Sequence, residues 1–130
     1  MFTIDQIKAA HAKVKSGADF PEYVREIIQL GVVRYTTVVT DGSTVYHGVD
    51  GIEVPSGPKY AALPLAVKTD VEQFKLDLLA HQQGKTDFPT FCSDCAKSGI
   101  EKWIVDFRAK TCTYLDGEGN IVLTENISVQ

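Results

Sequence analysis

The chain is short of most features that mark a specialised surface. Basic residues are outnumbered, 13 Lys and Arg against 17 Asp and Glu, for a formal net charge of -4. Nucleic-acid backbones are held by concentrated cations, so this balance speaks against such a partner. No apolar run approaches the length of a membrane span, and the start, MFTIDQIKAAHAKVK, lacks the apolar centre of a signal peptide. A cytoplasmic protein with no membrane partner is expected. Cysteine is scarce: three residues, an odd number, fit reduced thiols better than a disulfide framework. The sequon Asn126-Ile127-Ser128 then has no export route to serve. Nucleotide and hydrolase motifs are missing too. QQGKTD would need glycine where Leu79 stands to be a phosphate loop, and no GxSxG turn occurs. His11, His47 and His81 are too scattered to define a triad and read as surface or half-buried residues.

What is present is core material, 44% hydrophobic over 130 residues, enough for one domain. It is arranged twice. FPEYVREIIQLGVVRYTTVVTDGSTVY from Phe20 aligns without a gap on FPTFCSDCAKSGIEKWIVDFRAKTCTY from Phe88, at an offset of 68 (88 − 20). Phe20 and Pro21 fall on Phe88 and Pro89, Gly31 on Gly99, Arg34 on Lys102, and Tyr35 on Trp103. Upstream, IDQIK at Ile4 matches VEQFK at Val71 with one residue less. Such a match predicts an internal duplication.

Each half reads as two helices and three strands. A first helix follows an N-cap at Thr3, or at Thr69 or Asp70, and ends at Gly17 or Gly84. A second starts at Asp19 or Asp87, with Pro21 or Pro89 in its first turn, and stops at Gly31 or Gly99. The strands VVRYTTVVT and TVYHG answer to IEKWIVDFRA and TCTYLD, and third strands are expected near Ile52 to Val54 and in NIVLTENI. Alternation predicts a buried face of Val33, Tyr35, Thr37 and Val39, matched by Glu101, Trp103, Val105 and Phe107. The fold class is therefore α+β: a duplicated α-α-β-β-β unit, residues 3–54 and 70–127, with helices packed on a largely antiparallel sheet. EVPSGPKYAALPLAVKTD, rich in proline, joins the halves.

The CxxC pair, Cys92 and Cys95, occupies the positions of Val24 and Ile27 in the first half. Spaced by three, both face one side of a helix and replace core aliphatics. A zinc site is the minor alternative, since no second ligand pair stands at a recognised spacing. No cofactor is expected. Arg34 and Lys102, equivalent by the duplication, are the candidates for an anion or partner groove between the halves. His47, Lys59 and Tyr60 are the further ligand-binding candidates.

The run HQQGKTD, then FC, AKSGIEKW and TCTY, together with IDQIKAAHAKVKSGADFPEYV, resembles a bacterial family of uncharacterised small domains. Members of that domain-of-unknown-function family are often labelled phage envelope protein. The resemblance implies a phage or prophage origin and supplies no activity, cofactor or catalytic residue. Together these readings predict a non-enzymatic binding or interaction module with a protein or small-molecule partner, homodimeric through a sheet edge or face. The alternative is a small enzyme or ligand-sensing domain with its site at the interface of the two repeats.

Overall fold

The computed structural model describes residues 2–14 and 19–127. Gly17, expected to close the first helix, and Ser128 of the sequon lie outside them. Helix α1 (Ile4–His11) begins in a capping box: Thr3 accepts from the Gln6 amide, and the Gln6 side chain returns to the Thr3 N–H. The helix ends at His11, well before Gly17. Helix α2 (Phe20–Leu30) carries proline in its first turn and terminates at Gly31, whose φ of 105° only glycine adopts cheaply. The strands β1 (Val32–Val38), β2 (Thr44–Gly48) and β3 (Glu53–Ser56) follow.

The second half has the same order. Asp70 caps α3 (Val71–Gln82) through the Gln73 amide, and Asp87 caps α4 (Phe88–Lys97) through the Thr90 amide. Strands β4 (Ile100–Asp106), β5 (Thr111–Asp116) and β6 (Ile121–Asn126) complete it. Among the described residues there is one six-stranded sheet in the order β3-β2-β1-β4-β5-β6, with every pair antiparallel. The order reads alike from both ends. The central pairing is just as regular: Thr36 faces Ile104, its partner at the offset of 68 (104 − 36), and Arg34 opposite Asp106 is mirrored by Val38 opposite Lys102.

Both central strands carry a bulge at corresponding points, between Val32 and Arg34 and between Ile100 and Lys102. This corrects part of the expected alternation. The extra residue turns Val32 and Ile100 inward, 2% and 0% exposed, and leaves Val33 and Glu101 half-buried. Beyond the bulges Tyr35, Thr37, Val39, Trp103, Val105 and Phe107 are buried as alternation requires. Among the described residues, α1 to α4 all contribute to the same core, and none of them covers the opposite sheet face.

The connector is pinned along its length. The Lys59 amide donates to the Asp41 carbonyl, Leu63 to Thr40, Ala66 to Ala96 and Asp70 to Ser98. Its passage against the end of α4 makes two corresponding glycines unequal. A Cβ on Gly99, at φ 80°, would stand 2.9 Å from the Lys68 carbonyl oxygen and 3.0 Å from the Thr69 Cα. One on Gly31 would meet nothing nearer than 3.9 Å. Gly31→Ala should therefore cost only the left-handed conformation, about 1–2 kcal/mol. Gly99→Ala should cost clearly more, because backbone must also move. Urea unfolding of the two variants checks the order.

Candidate functional site

The inner sheet face and the helices do not close completely on one another. Between them lies a partly open cleft of about 440 Å³, a size typical of small-molecule sites. Its floor is Tyr35 of β1, Trp103 and Val105 of β4, and Cys112 and Tyr114 of β5. Its walls come from both halves: His11 and Tyr23 from α1 and α2, and Leu78, His81, Phe88 and Phe91 from α3 and α4. Glu125 of the edge strand β6 joins them, because its partner Cys112 sets it on the inward face. Tyr35 and Trp103 are corresponding residues, as are Tyr23 and Phe91. The cleft thus lies where the two halves meet.

Aromatic edges and faces hold its shape. His11 meets Tyr23 and Phe88 edge-on, with centroids 5.4 and 5.2 Å apart, so α1 touches α4 across the boundary. Trp103 packs against Phe91 at 5.6 Å and Tyr114 at 6.2 Å. His81 stacks on Phe91 at 4.4 Å, nearly parallel.

The polar groups are few. His81 Nδ1 lies 3.1 Å from the Thr86 carbonyl oxygen and 3.2 Å from its hydroxyl. A carbonyl only accepts, so Nδ1 carries the proton and Nε2 is left as the ring's acceptor. Burial pushes His11 down to about 4, and the Lys59 ammonium adds to the effect. Burial lowers His81 as well, against the Thr86 hydrogen bond and the charges of Asp87 and Asp94. Both imidazoles are neutral at neutral pH. Burial raises the phenols of Tyr23, Tyr35 and Tyr114, and the Tyr23 and Tyr46 hydroxyls share a hydrogen bond of 3.3 Å. Glu125 Oε1 accepts from Gln82 Nε2 at 3.0 Å and is the one formally charged side chain among the described lining residues.

The thiols offer no nucleophile. Cys92 and Cys95 are 0% exposed and Cys112 is 5% exposed, all free. Burial pushes Cys92 up to about 11 and Cys112 up to about 12, and raises Cys95 well above the ordinary thiol value too. Among the described residues no group of three His, Cys, Asp or Glu side chains is placed to hold a metal ion. A thiol-reactive chromogenic disulfide added to native protein should react orders of magnitude more slowly than with free cysteine. In denaturant it should count three thiols.

The residues singled out in the sequence fall into separate groups, none at the cleft. Arg34 is directly opposite His47 in the β1–β2 pairing, and Lys59 is beside Tyr60 on the connector. Arg34 and Lys102 stand on the helix-free face, four residues apart along the β1–β4 pairing, Arg34 opposite Asp106 and Lys102 opposite Val38. Their alternation carries them away from the cleft. His47 is on that outer face too, its Nδ1 3.6 Å from a Glu53 carboxylate. Lys59 and Tyr60 lie on the helix side. The Lys59 ammonium is 5.7 Å from the Phe88 centroid, and the Tyr60 hydroxyl donates to the Val39 carbonyl. None of the five lines the cleft. The residues that do, His11 and His81 above all, stand 70 positions apart (81 − 11), so sequence spacing does not bring them together. The alignment of the halves held the signal: His11 corresponds to Leu78 and His81 to Val14, so each imidazole sits where the other half places an inward aliphatic.

No helix among the described residues is long and apolar enough to cross a membrane. A family model described as protein of unknown function (DUF1398) matches residues 8–126. None of the curated proteins matches the chain.

Proposed function

The chain belongs to the DUF1398 family of proteins of unknown function, and, since that family brings no activity with it, we propose from the cleft alone that this is a ligand-binding domain. The ligand is a small, flat, largely apolar molecule held between two halves that arose by tandem duplication. One observation carries this reading: corresponding aromatics, Tyr35 with Trp103 and Tyr23 with Phe91, converge on a cleft of about 440 Å³. Rings of that kind supply area and stacking, and Nε2 of His81 and the Glu125 carboxylate supply orientation. Binding without thiol catalysis fits the chemistry, as the three cysteines are buried and held protonated.

Trp103 is the chain's one tryptophan and lines the cleft, so its fluorescence reports on the site alone. A neutral flat quencher, 4-nitroanisole, should quench it saturably. Val14→Phe, at the half-buried rim, should weaken that binding about tenfold or more. Quenching that rises only linearly with concentration would overturn the reading.

A second reading, an interaction module that pairs with its own copy, is favoured by the helix-free face. There Val45, Thr36, Ile104 and Thr113 form one half-buried row across four strands. Sedimentation equilibrium decides it, because a monomer at every concentration rules it out. The phage or prophage origin implied by the resemblance concerns the source of the chain. Co-sedimentation with virions would support a structural role there.

A further inference from the structure

We propose that the ligand of the cleft is an organic cation: a flat or alicyclic apolar body carrying an ammonium group, which pairs with Glu125. This rests on the cleft being a ligand site. No lysine or arginine is among the described lining residues, and Glu125 is the one carboxylate. Lys59, outside the lining, reaches only Phe88 and His11. An anion entering would therefore meet the like charge of Glu125 and find no cation in the lining itself, which disfavours carboxylates and phosphates. A cation meets the opposite. The negative faces of Trp103 and Tyr114 attract positive charge, and an aromatic enclosure with one acidic residue is the chemistry that recognises ammonium groups.

The position of Glu125 fits that role. It lies half-buried on the edge strand, inward-facing and opposite Cys112, with Oε1 fixed by Gln82 of α3. Its charge is felt at Cys112 and Tyr114 on the floor. The nearby cation, Lys59, is felt instead at His11 and reaches Phe88 from the connector. The two charges therefore polarise the cleft, and the ammonium end of a ligand is directed to β6. The half-buried carboxylate keeps some solvent contact, and a paired ammonium offsets the cost of bringing charge into an apolar cleft.

Three probes that share one ring system separate this from the broader reading. Calorimetric titration of the full chain near neutral pH should find 2-naphthylmethylamine bound about tenfold tighter than 2-naphthylmethanol, with 2-naphthoate weakest. Added salt should narrow the gap. Glu125→Gln should remove the difference between amine and alcohol. If the alcohol binds and the amine binds no better, or if Glu125→Gln keeps the preference, the cation assignment fails while the cleft remains a binding site. If none of the three binds, the cleft reading fails with it. The series on the unaltered chain decides the matter even if the variant does not fold.

Discussion

Phe74→Ala should lower the unfolding free energy by about 3–5 kcal/mol, a large share of the roughly 5–15 kcal/mol that holds a domain of this size together. Phe74 is 0% exposed and its ring packs on Tyr114, 4.9 Å between centroids. On the same helix Leu76 and Leu79 are 63% and 51% exposed. Leu76→Ala and Leu79→Ala should stay within about 0.5–1 kcal/mol, because little apolar area is lost and alanine favours the helix. Denaturant titration of the three variants checks which face of α3 is buried. Equal losses would mean that Phe74 does not face the core more than Leu76 and Leu79 do.

The second large effect is loss of stability in acid. His11 titrates at its ordinary 6.5 when unfolded and near 4 in the fold. Between those values the unfolded chain holds the extra proton, so stability rises with pH. The contribution is whole above 6.5 and is lost as pH falls towards 4. His81, lowered in the same direction, adds to the slope. Solvent at these partly exposed rings keeps the slope below about 1.4 kcal/mol per pH unit for each. The lowered carboxylates of Asp41 and Asp116 release their share only at more acid pH, below their ordinary 3.8. Asp94, raised by burial, works slightly the other way. His11→Phe keeps a ring against Tyr23 and Phe88 and should flatten the curve above pH 4, and His11→Phe/His81→Phe should flatten it further. Unfolding free energies measured across that range are the test.

Much of the architecture could be read from residues that act locally. Thr3, Asp70 and Asp87 cap helices because their side-chain oxygens reach an amide three residues on, and Gly31 and Gly99 end helices because they take positive φ. These rules need no tertiary knowledge. The bulges were not legible, since VVRY and IEKW alternate well enough without one, and the pairing alone shows the slip at Val32 and Ile100. The apolar face of α3 was also ambiguous, because leucines lie on both sides of VEQFKLDLLAHQ. The cleft was the least legible feature. Tyr23, Tyr35, Phe91 and Trp103 pattern as core, and nothing in alternation or spacing tells a ring that fills space from one that borders a gap. Packing volume is a property of the assembled halves.

The cleft is also what the functional account depends on. A crystal structure of the full chain grown with 2-naphthylmethylamine would test it most directly. The account predicts the ring against Trp103 and Phe91, with its ammonium within hydrogen-bond distance of a Glu125 carboxylate oxygen. A cleft closed by its own side chains, with the amine elsewhere or unbound, would contradict it.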